Sequence, residues 1–234
     1  MALVLAPPAL PSAPIAGRDD RFPVGRIFCV GRNYAAHARE MGQEGREAPF
    51  FFTKFPQSLV PGGGTIPYAP ATSNLHYEAE LVIALGKGGA AVASESALDL
   101  VYGYAVGLDM TRRDLQFESR DKGRPWDTGK NFAYSAPIGA IRPTDAGGHL
   151  TQGAIRLTVN GVVKQQGDLS DMIWNGAEVI AALSRFERLQ PGDLIYTGTP
   201  AGVGPVVPGD VIVASIEGLA PLTVTIGDRE AEFS

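Results

Sequence analysis

Cysteine occurs once in these 234 residues, at Cys29. A lone thiol excludes an intrachain disulfide framework and any multi-thiolate metal site, and it fits a reducing cytoplasm. No stretch approaches the roughly eighteen uninterrupted apolar residues of a membrane-spanning helix. Charge is sparse as well: 20 basic and 25 acidic side chains make 19% of the chain and a formal net charge of −5, with no run of Lys and Arg. Sequence-independent nucleic-acid binding depends on such a basic stripe and is disfavoured. There is no Gly-X-Y period and no low-complexity linker between blocks. The apolar first seventeen residues lack the basic start of a signal peptide and are broken by Pro7, Pro8, Pro11 and Pro14. They read as a loose arm, so the expected division is a flexible proline-rich arm over 1–20 and a single domain over 21–234.

What the chain does have is glycine and proline, 29 and 18 residues, beside a hydrophobic content of 44%. That combination describes a turn-dense, strand-rich body with core enough to fold alone. Ile27–Val30 suits a buried strand, and the alanine-rich segment Tyr34–Met41, behind Asn33 as N-cap, suits a short helix. Residues 42–75 read mostly as loop with short strands. Tyr77–Leu85 and Val101–Met110 read as strands, and a helix is expected from Thr111. Asn160-Gly161 between two β-prone runs signals a type I′ hairpin. Met172–Leu189 has apolar residues at helical spacing and stops at Pro191-Gly192. Pro191-Gly192-Asp193 and Pro208-Gly209-Asp210 each introduce an aliphatic strand. The fold class is mixed, β-rich α+β.

Three acidic residues carry the first chemical signal. Glu78 and Glu80, two apart on an expected strand, leave the same face, which Val82 and Ala84 continue. Carboxylates held close and half-buried repel unless a proton or cation intervenes. Asp109 ends the Val101 strand, with Gly107 allowing close approach. An oxygen-only set of this kind suits Mg²⁺ or Mn²⁺ rather than zinc, since no His or Cys ligation is evident nearby. The other reading is a solvated strand face with Asp109 capping the Thr111 helix; spacing alone leaves both standing. His37 and Glu40, at i and i+3, form either a water-activating dyad or an exposed helix pair. His76 is a supporting group for the acidic pair or a strand-edge residue, and His149 reads as a loop residue.

Together, five segments in order resemble the fumarylacetoacetate hydrolase family. They are Gly31-Arg32-Asn33-Tyr34 with His37 and Glu40; Tyr77-Glu78-Ala79-Glu80-Leu81; Gly107-Leu108-Asp109-Met110-Thr111 with Arg113, Asp114 and Gln116; Gly129-Lys130; and Thr197-Gly198-Thr199-Pro200 with Gly202-Val203-Gly204-Pro205. They span residues 27 to about 216. The stretch from Met110 to Gln116 and Gly123-Arg124-Pro125-Trp126 are most similar to the small bacterial acylpyruvate and fumarylpyruvate hydrolases. The resemblance implies a rolled, twisted β-sheet fold with short helices, usually a homodimer, and a magnesium-dependent site, with Mn²⁺ as the other candidate ion. It assigns Glu78, Glu80 and Asp109 as metal ligands and His37 with Glu40 as the dyad. Arg113, Gln116 and Lys130 would contact substrate carboxylate and oxo groups, and Thr199 the pyruvate end.

The reaction so implied is hydrolysis of a carbon–carbon bond in a 2,4-dioxo acid, giving pyruvate and a carboxylic acid. Chelation by the metal would stabilise the departing pyruvate enolate, Lys130 would add positive charge there, and His37, backed by Glu40, would take the proton from water. The same metal–enolate site also fits oxaloacetate decarboxylation or keto-enol tautomerisation, although the dyad favours hydrolysis. A non-enzymatic scaffold is the reading from another class, and the completeness of the residue set speaks against it. The loop Gly42–Ala48 bears on which acyl chain fits.

Overall fold

The computed structural model describes residues 4–6, 8–35 and 46–229. Among these, the longest sheet has eight strands. Its path runs Phe50–Lys54, Arg26–Gly31, Asp193–Tyr196, Ala79–Leu85, Val101–Leu108, Ala136–Ile138 and Leu59–Pro61, with Arg142–Pro143 pairing on Val101–Leu108. A second sheet of five strands is ordered Val162–Asp168, Ala154–Val159, Val211–Ile216, Leu222–Arg229 and Gly64–Tyr68. Every residue of Ala79–Leu85 is buried, as expected for a strand covered on both faces. Alternate side chains go opposite ways. Leu81, Ile83 and Leu85 join a core with Ile155, Leu157, Ile212 and Val224 of the second sheet and with Val179, Ile180 and Leu183. Val82 and Ala84 join Ala13, Ile15, Phe22, Val24, Leu194 and Tyr196 on the other side.

The second cluster corrects the N-terminal expectation. Ser12–Pro14 pairs antiparallel with Arg21–Pro23, and Ala13 and Ile15 are 0% and 8% exposed. Ala16 N–H donates to Ile141 O and Ile141 N–H to Pro14 O, each at 2.8 Å. From residue 12 the segment is therefore docked strand, because its apolar side chains cover a sheet face that would otherwise meet water.

Other elements follow the sequence with shifts that have local causes. The hairpin Ala154–Val159 to Val162–Asp168 turns at Asn160 and Gly161 with φ of 51° and 77°, the two positive angles of a type I′ turn. The expected helix Met172–Leu189 is shorter, Gly176–Leu183. Asn175 and Glu178 form a capping box that starts it, while upstream Met172 bridges Tyr34 and Ile173 N–H donates to Asn33 O. The helix expected from Thr111 begins at Arg113, since Thr111–Arg112 pairs with Leu75–His76 as strand. Val101–Met110 ends as strand at Leu108. Of the expected helix Tyr34–Met41, all but Tyr34 and Ala35 lies outside the described residues. The Asn33 side chain ties to a distant segment: its Oδ1 accepts from Trp174 N–H and its Nδ2 donates to the carbonyls of Trp174 and Thr197.

Candidate active site

Glu78 sits at a break between the strands Leu75–Tyr77 and Ala79–Leu85, and Glu80 one pleat further along the second. The neighbouring strand is antiparallel, with Ala79 opposite Leu108 and Glu80 opposite Gly107, and Asp109 N–H donates to Glu78 O at 2.9 Å. That register carries Asp109 to the two glutamates. A Cβ at Gly107 would lie 2.4 Å from Val82 and 2.6 Å from Tyr196, so the close approach needs glycine there. The three carboxylates are 4%, 1% and 0% exposed and offer oxygens all within 4.8 Å of one another.

Cations surround the cluster. The Lys130 ammonium donates to Glu78 Oε2 at 2.8 Å, Asp109 Oδ2 at 2.7 Å and Thr111 Oγ1 at 2.8 Å, which uses its three protons. Burial pulls its pKa down, but Asp109 and then Glu78 outweigh burial and hold it above the usual lysine value. Arg113 pairs with Glu78 Oε1, donates to Gln116 Oε1 at 2.6 Å and to His76 Nδ1 at 3.3 Å. Lys54 Nζ lies 2.8 Å from Asp109 Oδ1, an ion-pair distance, yet that oxygen receives no directed hydrogen bond. Glu80 accepts one backbone N–H, from Gly198 at 2.7 Å, and has no cationic partner among the described residues. Its pKa is pushed well up, by burial first, then by Asp109 and Glu78. Burial and then Arg113 push the His76 imidazole down to about 4, so it is neutral near pH 7.

Glu80, buried with a single N–H donor and no cation paired to it among the described residues, faces Glu78 and Asp109 across an all-oxygen donor set. A hard divalent cation fits that donor set. Glu78, Glu80, Arg113, Gln116, Lys130 and Thr199 belong to one lining, around a cavity of about 20 Å³. Phe52, Trp126 and Lys130 also line a wider adjoining chamber of about 510 Å³.

Residues 26–227 match the family profile described as fumarylacetoacetate (FAA) hydrolase, C-terminal. The chain belongs to the fumarylacetoacetate hydrolase family. Its strand-rich α+β architecture with few short helices is that family's fold. Among this family member's relatives, a fumarylpyruvate hydrolase of a Ralstonia species is 55% identical over 184 residues, 79% of this chain and 95% of that protein. The human mitochondrial oxaloacetate tautomerase is 42% identical over 204 residues, 87% and 92% of the two chains. The crystal structure of a Pseudomonas aeruginosa fumarylpyruvate hydrolase in complex with Mn²⁺ and pyruvate superposes with a TM-score of 0.95 at 49% identity, covering 97% of this chain and 100% of that one.

The residues singled out from sequence fall unevenly around the family site. Glu78, Glu80, Asp109 and Lys130 meet in one cluster. Arg113 and Gln116, both expected to contact the substrate, bond each other. Arg113 is thereby committed to Glu78 and Gln116, and Gln116 keeps its amide N–H donors to offer. The Thr199 hydroxyl is engaged within the fold, donating to Ala79 O and accepting from Gln165 Nε2, each at 2.8 Å, so a ligand would meet its backbone N–H or a remaining lone pair. His76 does sit beside the acidic pair, through Arg113 and Asn74. His149 accompanies Tyr104 rather than the site, its Nδ1 2.9 Å from the hydroxyl. His37 and Glu40 lie outside the described residues.

Sequence reasoning passed over two buried residues. Lys54 has a fully buried ammonium that also donates to the carbonyls of Lys130 and Met110. Gln165 accepts from Ala79 N–H and donates to Thr199 and Pro200. Lys54 ended an aromatic run, a visible if faint signal; Gln165 lay in a polar hairpin strand and had none.

Proposed function

We propose that the protein is a divalent-metal hydrolase that splits the carbon–carbon bond of a 2,4-dioxo acid, fumarylpyruvate or another acylpyruvate, into pyruvate and a carboxylic acid. The observation that carries this reading is the buried Glu78–Glu80–Asp109 triad ringed by Lys54, Lys130 and Arg113, in a chain 55% identical to a fumarylpyruvate hydrolase. The three carboxylates would hold the ion, with Mg²⁺ proposed and Mn²⁺ the alternative. When bound, such an ion is a Lewis acid toward a substrate carbonyl or carboxylate oxygen. The three carboxylates and three cations sum to zero charge, so a divalent ion leaves the centre positive and attractive to an anionic oxo acid.

The chain's own groups divide the remaining work. His37 would take the proton of the attacking water and Glu40 would steady the imidazolium, leaving hydroxide to add to the distal ketone carbon. When the bond between the third and fourth carbons breaks, its electron pair moves onto the pyruvate fragment. There the Lys130 ammonium offsets the developing charge. Protonation of that fragment's methylene gives pyruvate. Gln116 would offer its amide to a substrate oxygen, and Arg113 would turn part of its fork from Gln116 to the carboxylate. Phe52 and Trp126 give the acyl end an apolar wall.

A second reading, oxaloacetate tautomerase or decarboxylase, is favoured by the 42% identity to the human tautomerase. One panel separates the two. Fumarylpyruvate, acetylpyruvate and oxaloacetate are each followed by loss of enol absorbance and by pyruvate release, with Mg²⁺ or Mn²⁺ and with chelator. Hydrolysis predicts one pyruvate and one carboxylic acid per acylpyruvate, abolished by chelator. Turnover of oxaloacetate alone would overturn it.

A further inference from the structure

Three cationic side chains line the small cavity, and two of them are committed. Lys130 and Arg113 hold Glu78 and, through Lys130, Asp109. The third is Arg32, which is half-buried. Its guanidinium carbon lies 5.7 Å from the ring centroids of both Phe50 and Trp126, and those two rings meet edge to face at 5.3 Å. Among the described residues no carboxylate is paired with it, and its Nε is buried without a hydrogen-bond partner. The charged groups that face it are Arg120, which opposes its charge, and Glu47, which favours it; burial weighs more than either.

Its backbone sharpens the point. Arg32 has φ of 57°, a conformation that any residue with a Cβ adopts unwillingly and glycine adopts freely. Asn33, next in the chain, is pinned by three hydrogen bonds to Trp174 and Thr197, so the turn is over-determined by its neighbours. A side chain kept at a strained turn, aimed between two rings and left short of an acceptor, is the pattern of a group held for a ligand. A guanidinium stacked on aromatic faces keeps its in-plane N–H fork available for a carboxylate.

We infer that Arg32 is the receptor for a distal carboxylate on the acyl group, which makes the preferred substrate an acylpyruvate that ends in a second carboxylate, as fumarylpyruvate does. This rests on the proposed hydrolysis. The metal-side groups take the pyruvate end of such a dianion, the acyl chain runs along Phe52 and Trp126, and Arg32 pairs with the far end. An acylpyruvate ending in a methyl group would leave the guanidinium desolvated and unpaired.

The test compares fumarylpyruvate with acetylpyruvate in the wild type, Arg32→Met and Arg32→Lys, with Mn²⁺ present. Arg32→Met is expected to lower kcat/KM for fumarylpyruvate by about 10- to 100-fold, the range for losing a hydrogen bond to a charged group. The loss on acetylpyruvate should be at least about tenfold smaller. Arg32→Lys should recover part of the fumarylpyruvate rate, since it restores charge without the fork. Calorimetry with fumarate, in the presence of Mn²⁺ and pyruvate, gives a readout independent of turnover: binding should weaken in Arg32→Met, whereas crotonate should bind poorly to both. Equal losses on the two substrates would assign Arg32 a structural role and overturn the inference, as would unaltered fumarate binding. A wild type that hydrolyses neither acylpyruvate would instead remove the proposed function, and the fumarate titration would still decide Arg32.

Discussion

At the scale of single residues, the carboxylate cluster makes opposite predictions for two substitutions of similar size. Lys54→Met leaves Asp109 buried with one cation fewer, and breaking such a pair typically costs about 3–5 kcal/mol. Glu80→Gln removes a charge that has one N–H donor and two like-charged neighbours, while its amide oxygen can still accept from Gly198. In chelator, urea unfolding should therefore show Lys54→Met destabilised and Glu80→Gln unchanged or stabilised. Adding Mn²⁺ shifts the comparison between Glu80→Gln and the wild type in favour of the wild type. The wild type should gain about 2.7 kcal/mol at a concentration one hundred times Kd, and Glu80→Gln should gain much less. A Glu80→Gln protein that is unstable without metal, or that keeps the full gain with it, contradicts a site held in tension for a cation. This contrast also marks how far the sequence reached. The i, i+2 pair and the glycine before Asp109 were legible as one potential cluster, because strand periodicity is local. Lys54 and Gln165 were not, since they come from other strands and only the sheet register brings them in.

At the scale of elements, the site hangs on how the second sheet is tied to the first. Gln165, on Val162–Asp168, accepts from Ala79 N–H at 3.0 Å and donates to Thr199 Oγ1 and Pro200 O at 2.8 Å each. One side chain thus links the hairpin to the strand carrying Glu80 and to the loop whose Gly198 N–H holds Glu80. Gln165→Leu keeps volume but leaves Ala79 N–H and the loop groups without partners, a loss of about 1–3 kcal/mol per unsatisfied buried group. It should also weaken Mn²⁺ affinity, although Gln165 is not among the proposed ligands. Val163→Thr, two residues away on an exposed position, should alter stability by no more than about 0.5 kcal/mol and leave metal binding alone. Similar behaviour of the two variants would refute the tie. The elements themselves were readable wherever turn chemistry is strict. Asn160-Gly161 and the two Pro-Gly-Asp turns stand where they were expected, whereas helix ends moved. Asn175 carries a capping signal of its own, but periodicity extended the helix through it, because Met172 and Ile173 are apolar while their backbone pairs with Tyr34 and Asn33 instead of entering the helix.

At the scale of the whole molecule, the central sheet is covered on two sides by segments distant in sequence. The five-stranded sheet and the Gly176–Leu183 helix take one face. On the other, Ala13 and Ile15 join Phe22 and Val24 against Val82, Ala84, Leu194 and Tyr196. Composition suggested a loose proline-rich arm there, because prolines look like breaks when the partner strand is unknown. In the fold they suit a short edge pairing, where few N–H groups are needed. Pro11 O and Pro14 O accept from Val24 and Ile141, and Ala16 N–H donates to Ile141, all at 2.8 Å. Deleting residues 2–17 would expose this face and remove those bonds. Burying the Ile15 side chain is worth about 1.5–3 kcal/mol, and each hydrogen bond about 1 kcal/mol, so a loss of at least about 3 kcal/mol is expected. Urea unfolding measures it, and dye binding to newly exposed apolar surface should rise in parallel. None of residues 12–16 lines either cavity, so Mn²⁺ affinity per folded molecule should stay within about threefold of the full chain. An unfolding midpoint that does not move would mean that this strand covers nothing the sheet needs covered. A lost midpoint together with lost metal binding would mean that the two faces of the sheet do not act independently.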